Sequence, residues 1–177
     1  MKVKISQARA QKWATLFSSE RQSWETPPEL FALLDKEFKF GLDACARADN
    51  TLCKRFISPE ENALSDTCIW SKYSKGKSVW MNPPYGRGIS DWIAKARIES
   101  ILGEMYVVCL LPARTDTKYA HDLCALGETR LLRGRLKFRY KGQPAVDPKG
   151  RPVSAPFPSM ITIFGPSVIS SVRWYEL

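Results

Sequence analysis

The sequence predicts an α/β domain, a sheet flanked by helices with an antiparallel C-terminal edge. Three observations predict it. Short apolar runs end sharply at small residues or prolines; amphipathic helical stretches fall between the first of them; and the last third turns strand-rich. At 177 residues the length fits about one domain, with a core large enough to fold without metal or disulfide.

Residues 1–22 show no sharp pattern and read as an arm, leaving 23–177 as the domain. Thr26-Pro27-Pro28-Glu29 reads as a helix start, with Thr26 as N-cap, Pro27 in the first turn and Glu29 completing a capping box. Leu30, Leu34 and Phe38 supply its apolar face, and Gly41 its stop. Leu42-Asp43-Ala44-Cys45-Ala46 follows as a short buried strand. Val79-Trp80-Met81 is a second strand, which must end at Asn82-Pro83-Pro84-Tyr85 because proline cannot donate to a central ladder. Ser90 is the expected cap of a helix to about Leu102 that turns Trp92, Ile93, Ala96 and Ile101 inward. Tyr106 to Leu111 is continuously apolar, as in a strand covered on both faces. Thr115 is expected to cap a helix to about Leu126. Met160-Ile161-Thr162-Ile163-Phe164 closes the set of strands.

The chain carries 27 basic and 18 acidic side chains, and the excess is concentrated near the C-terminus. Between Arg130 and Arg151 there are eight Lys or Arg and one acid, Asp147. Such an excess attracts polyanions. Arg133, Arg135, Lys137, Arg139 and Lys141 alternate with Gly134, Leu136, Phe138 and Tyr140, which in a strand gives one basic and one mostly apolar face. A proline-rich loop follows, near 141–158, carrying Lys149 and Arg151. A solvated strand face would show the same alternation; the concentration of one sign favours contact with nucleic acid.

Other classes are disfavoured. No apolar run is long enough to cross a bilayer, and no signal peptide is evident. The five cysteines form no C-x-x-C pair and His121 is the one histidine, which argues against a zinc site and against Ser/His or Cys/His nucleophilic chemistry. An odd cysteine count without an export signal points to reduced thiols in a cytoplasm.

The sharpest motif is Asn82-Pro83-Pro84-Tyr85 at a strand's carboxyl end, where open α/β sheets bind ligands. Two prolines stiffen the backbone and offer carbonyls, Asn82 supplies an amide oxygen, and Tyr85 a flat π-face. This set suits a planar heterocycle whose exocyclic amine needs acceptors on its hydrogens before its lone pair can attack. A rigid turn with a packed tyrosine is the plainer alternative.

Asn-Pro-Pro-Tyr resembles the catalytic motif of amino-group DNA methyltransferases that use S-adenosylmethionine. The wider chain, from Trp24 to Phe164, resembles the bacteriophage-type DNA N-6-adenine methyltransferases, a Dam-like family. The likeness runs through Trp24-Glu25-Thr26-Pro27, Leu42-Asp43-Ala44-Cys45-Ala46, Asn62-Ala63-Leu64 and Val79 to Tyr85. It continues through Leu111 to Thr117, Gly134 to Phe138 and Ala155-Pro156-Phe157-Pro158.

The resemblance implies a class I (Rossmann-like) methyltransferase sheet and S-adenosyl-L-methionine as cofactor. Asn82 and the Pro83 carbonyl would hold the adenine amino group, with Pro84 stiffening the corner and Tyr85 stacking on the flipped base. Trp24, Thr26, Pro27, Asp43, Ala44, Cys45, Asn62 and Leu64 would line the cofactor site. Double-stranded DNA would be the partner, with Arg114, Arg133, Arg135, Lys137, Arg139, Lys141, Lys149 and Arg151 as its contacts. No metal and no membrane are implied; the protein would act in the cytoplasm of a bacterial host, phage or prophage encoded, as a monomer or weak homodimer. Two features depart from the family pattern. No glycine-rich turn follows the first strand, and Asn62 stands where an acid is common, with Asp66 nearby. Cytosine N4 methylation, glutamine methylation of proteins and non-catalytic DNA binding are the competing readings.

Overall fold

A computed structural model describes residues 25–140, 142–146, 151–152 and 154–176. The expected arm, Trp24, Lys141 and Lys149 lie outside these residues. The chain forms helix α1 (Pro28–Phe38), strand β1 (Phe40–Asp43), a 3-10 turn (Pro59–Glu61), α2 (Trp70–Ser74), β2 (Ser78–Met81) and α3 (Ile89–Leu102). It continues with β3 (Val107–Pro112), α4 (Lys118–Asp122), a 3-10 turn (Cys124–Leu126), β4 (Glu128–Leu132), β5 (Arg139–Tyr140), β6 (Gln143–Pro144), β7 (Ser159–Phe164) and β8 (Ser171–Tyr175).

Among the described residues, six strands make one sheet in the order β1-β2-β3-β7-β4-β8, and β5 pairs with β6 in a separate hairpin. β1, β2 and β3 run parallel, β7 runs against both β3 and β4, and β8 runs with β4. The carboxyl ends of all strands of the sheet but β7 therefore lie on one side. The antiparallel strand is thus interior, not at the edge as expected. Ser159–Phe164 is buried along its whole length, so it needs cover on both faces. β8 is largely exposed and takes the edge instead.

Strand periodicity sorts the core into two layers. Val79 and Met81 of β2, with Val107, Cys109 and Leu111 of β3, pack on α3 and Trp70. Trp80, Val108, Leu110, Ile161 and Ile163 point the other way, onto Leu30 and Leu34 of α1. Helices thus cover both faces. No helix among the described residues is long and apolar enough to cross a membrane.

Each expected helix cap is corrected. Helix α1 begins after Pro27 without a side-chain cap, because the Thr26 hydroxyl is committed elsewhere, as shown below. Its stop is Lys39 in the left-handed region (φ 57°), not Gly41. Gly41 lies inside β1, where a Cβ would stand 2.7 Å from the Ser74 carbonyl oxygen. Helix α3 follows Gly88 and has Ser90 in its first turn. Ile101 is exposed rather than inward, and Glu99 is buried in its stead. The Glu99 carboxylate accepts the Trp70 amide at 2.8 Å and pairs with Lys95 at 2.8 Å, which fixes the 63–70 segment to α3. Helix α4 starts after Thr117, whose hydroxyl donates to the Arg114 carbonyl, and not at Thr115.

The expected basic strand is laddered at Arg139–Tyr140, while 133–138 is irregular. The alternation still holds: Leu136 and Phe138 are buried, and Arg133, Arg135 and Lys137 are exposed.

Arg130 belongs to the fold. Its guanidinium makes a bidentate pair with Glu37 (2.6 and 2.7 Å), reaches Glu128 at 2.6 Å, and lies against the Phe38 and Tyr175 rings at 5.5 and 5.2 Å. The pairing holds the Glu37 carboxyl below its ordinary range. Arg130→Ala is expected to cost about 1–3 kcal/mol in denaturant unfolding, because it leaves Glu37 without its partner and removes the packing on Phe38 and Tyr175, while Glu128 keeps Arg173 at 3.2 Å.

Candidate active site

β2 delivers the motif. After Met81 the chain leaves the sheet, Pro83 is buried, and Asn82 and Tyr85 are half-buried at the carboxyl end. The Asn82 amide nitrogen donates to the Thr26 hydroxyl at 3.2 Å, and the Tyr85 hydroxyl donates to the Asn82 amide oxygen at 2.8 Å. The same hydroxyl stands 3.2 Å from the Leu110 carbonyl of β3. These contacts fix the amide's orientation: nitrogen toward Thr26, oxygen toward Tyr85. Burial raises the Tyr85 phenol well above its usual range, so it stays a donor.

The Tyr85 ring meets Phe157 edge-on at 5.5 Å and Phe138 at 6.3 Å, and the Arg114 guanidinium sits 6.0 Å over Phe157. Phe157 comes from the proline-rich loop, which is folded onto the site: the Ala155 amide donates to Leu136 (2.7 Å) and the Ala113 amide to Pro158 (2.8 Å).

Beside this corner, outside the ends of β1 and β2, lies a cavity of about 510 Å³, within the range of small-molecule sites. Of the residues expected to hold a cofactor, Thr26, Asp43, Cys45 and Asn62 line it, together with Asn82 and Pro84. Three do not. Pro27 faces a second groove, between α1 and 135–145. Ala44 is fully buried, its amide donating to Trp80 at 2.9 Å, so it packs behind the wall. Leu64 is partly buried away from the cavity lining, and Asp66 is exposed and also absent from it. Glu25, Arg47, Asn50 and Trp92 also line the cavity, arriving from three separate segments; none is assigned to the site from sequence, although Glu25 adjoins Thr26 in a segment that carries the family resemblance.

No glycine-rich turn is needed to form the wall. The segment after β1 wraps around Asp43, whose carboxylate accepts the amides of Cys45 (3.4 Å) and Leu52 (3.3 Å). The Asp43 backbone pairs with 55–57 in a parallel bridge. Asn62 takes φ 49°, a left-handed position that asparagine tolerates. Asp43 is 4% exposed, and burial raises its pKa to about 6 against the lowering effect of the two amides. Burial likewise pushes the Cys45 thiol far up, which leaves it protonated and no nucleophile.

Residues 14–171 match the family profile described as DNA N-6-adenine-methyltransferase (Dam). The chain belongs to the DNA N-6-adenine-methyltransferase (Dam) family. A protein of Haemophilus phage HP1 (strain HP1c1) named DNA N-6-adenine-methyltransferase is 38% identical over 108 residues, 60% of this chain and 58% of that protein. One of the same name from Escherichia phage T1 is 37% identical over 100 residues, 56% of this chain and 39% of that protein. The chain thus spans well under two thirds of either relative.

In this Dam-family chain the cations expected to meet DNA divide into groups. Arg114 follows β3, and the 133–138 segment follows β4, so both emerge on the side where Asn82 lies. Arg135 and Lys137 are exposed there. Arg133 pairs with Glu176 at 2.6 Å in solvent. Arg139 turns its guanidinium onto the Gly142 carbonyl, closing the β5–β6 hairpin. Arg151 is exposed. Among the described residues no group of three or more His, Cys, Asp or Glu is arranged to hold a metal.

Proposed function

We propose that this chain is a class I methyltransferase that moves a methyl group from S-adenosylmethionine to the N6 amine of adenine in double-stranded DNA. The observation that carries the reading is the orientation of the Asn82 amide by Thr26 and Tyr85 at the mouth of a cavity beyond the ends of β1 and β2. The names of the phage relatives favour adenine over cytosine.

The residues lining the cavity fit a cationic nucleoside cofactor. A buried carboxylate, Asp43, can balance an ammonium or sulfonium charge; Trp92 offers an aromatic wall and Asn62 and Asn50 amide groups. When bound, the cofactor supplies an electrophilic methyl group and departs as a neutral thioether.

The protein's part is positioning and polarisation. The Asn82 oxygen and the Pro83 carbonyl accept the two N6 hydrogens, which turns the nitrogen lone pair out of conjugation and toward the methyl carbon. With S-adenosylmethionine bound, the new N–C bond would form at the expense of the cofactor's S–C bond, and the surplus N6 proton would pass to solvent. The Tyr85 ring stacks on the extruded base and repays part of the few kcal/mol that unstacking costs. Arg135, Lys137 and Arg114 grip phosphates beside the opening, and site recognition falls to the loop near 141–158; Lys141, Lys149 and Arg151 are further proposed phosphate contacts, the two lysines from their sequence position alone.

Transfer of labelled methyl from the cofactor to defined duplexes, followed by nucleoside analysis, tests this. N6-methyladenine is expected; N4-methylcytosine, or no incorporation at saturating DNA, overturns it. Lys137→Gln is expected to lower the slope of log K against log salt by about 0.9, one phosphate's share. An unchanged slope would place Lys137 off the DNA.

A further inference from the structure

We propose that the outer edge of β8 joins the same edge of a second copy of this chain, antiparallel and centred on Arg173. β8 pairs with β4 on one side and with no strand among the described residues on the other. The Ser171 amide donates to Gly127 and the Tyr175 carbonyl accepts from Arg133, so alternate residues Ser171, Arg173 and Tyr175 direct their backbone groups inward. Val172 and Trp174 consequently direct theirs outward. An open edge of this kind is a template for pairing unless charge or proline blunts it.

Here the side chains invite pairing. Trp174 is 82% and Val172 67% exposed. Their register partners are Leu131 and Thr129, and the Thr129 hydroxyl donates to the Cys124 carbonyl. Both therefore stand on the face that carries the Cys124–Leu126 turn, where Leu126 is half exposed.

The edge is self-complementary. With a two-fold axis at Arg173, Val172 lies opposite Trp174 of the second copy and Trp174 opposite its Val172, each pair exchanging the outward backbone bonds. An aromatic ring beside a β-branched side chain is a favoured cross-strand pair. Arg173 meets its own copy, but each guanidinium is paired with Glu128 of its own chain at 3.2 Å, and Arg133 with Glu176. The edge is thus charge-balanced in a chain that is otherwise strongly basic.

Two tryptophans bring about 300–500 Å² to the interface. With the paired strands and Val172 the total reaches about 1,000 Å², the lower bound for a specific interface, so a dimer in exchange with monomer is expected. A two-fold normal to the sheet reverses strand direction, so the two cavities open toward opposite ends.

Sedimentation of the full chain from about 1 to 200 μM, with Trp174→Lys beside the wild type, tests the proposal. A wild-type monomer–dimer equilibrium is expected, with a Trp174→Lys chain that is monomeric throughout and melts as the wild type does. Residues directly opposite in a non-hydrogen-bonded pair stand about 4.5 Å apart at Cα, within disulfide reach. Arg173→Cys should therefore form a covalent dimer on mild oxidation, whereas Val172→Cys should not. A wild type that stays monomeric at 200 μM, leaving this edge to a different partner, overturns the proposal. A dimer that survives Trp174→Lys, or that Arg173→Cys fails to cross-link, does so equally. None of these outcomes depends on catalysis, so they stand apart from the methyl-transfer assay.

Discussion

Asn82→Ala is expected to slow methyl transfer about 10²–10³-fold in single-turnover measurements, the usual loss when one preorganised polar contact to developing charge is removed. Affinity for DNA and for the cofactor should stay within a few-fold, because the amide is asked to act on the amine as its geometry changes rather than to bind either ligand. Tyr85→Phe separates orientation from stacking. It keeps the ring and deletes the 2.8 Å bond to the amide oxygen, so a drop of about tenfold is expected. Tyr85→Ala, which also removes the stacking surface, should approach the Asn82→Ala value. Should Asn82→Ala weaken DNA binding as much as it slows turnover, the assigned role is wrong.

Asp43→Asn is expected to have two opposed effects. Cofactor affinity should fall about 100-fold, since an interior carboxylate facing a cation is lost. The unliganded protein should nevertheless gain stability at neutral pH. The native pKa, about 6, lies above the ordinary aspartate value of 3.8, so the folded state holds this proton more tightly than the unfolded one. Ionisation above pH 6 therefore opposes folding, and the penalty vanishes as pH falls through 6 toward 4. The gain in Asp43→Asn should be on the order of 1–3 kcal/mol near pH 7.5 and close to nothing below pH 4, read from urea midpoints across that range. In the wild type, cofactor affinity should decline below about pH 6 as protons compete for the carboxylate; in Asp43→Asn that decline should be absent. A variant less stable than wild type at pH 7.5 would mean that the amides of Cys45 and Leu52 gain more from the carboxylate than its desolvation costs.

The parts of this fold legible in the sequence are those set by a short-range rule. Proline after Met81 had to end a strand, and the apolar runs at Tyr106–Leu111 and Met160–Phe164 had to be covered twice, so β2, β3 and β7 emerge close to where periodicity puts them. The start of α1 departs from the sequence expectation for a physical reason. A threonine or serine ahead of an apolar run caps a helix unless its hydroxyl has other work, and Thr26 bonds Asn82 56 residues away. Long-range pairing also explains why β7 and not β8 sits inside the sheet, since adjacency between β3 and β7 skips β4 altogether. For the site, Asn82, Tyr85, Asp43 and Asn62 stood in segments resembling a known family. Arg47, Asn50 and Trp92 gave no such sign, because their place on the cavity is decided by how the chain wraps Asp43 and by the packing of α3 against the sheet.

Glu25 occupies a place where two surfaces meet. It lines the cavity, its backbone exchanges two hydrogen bonds with Arg139, each 3.0 Å, and its carboxylate accepts the Gly142 amide at 2.8 Å. A small molecule entering the cavity and a polyanion pressing on the hairpin thus lean on the same post from opposite sides. Were both to bind, a displacement of that post by one would reach the other, and whatever factor the first added to the second's affinity would be returned unchanged.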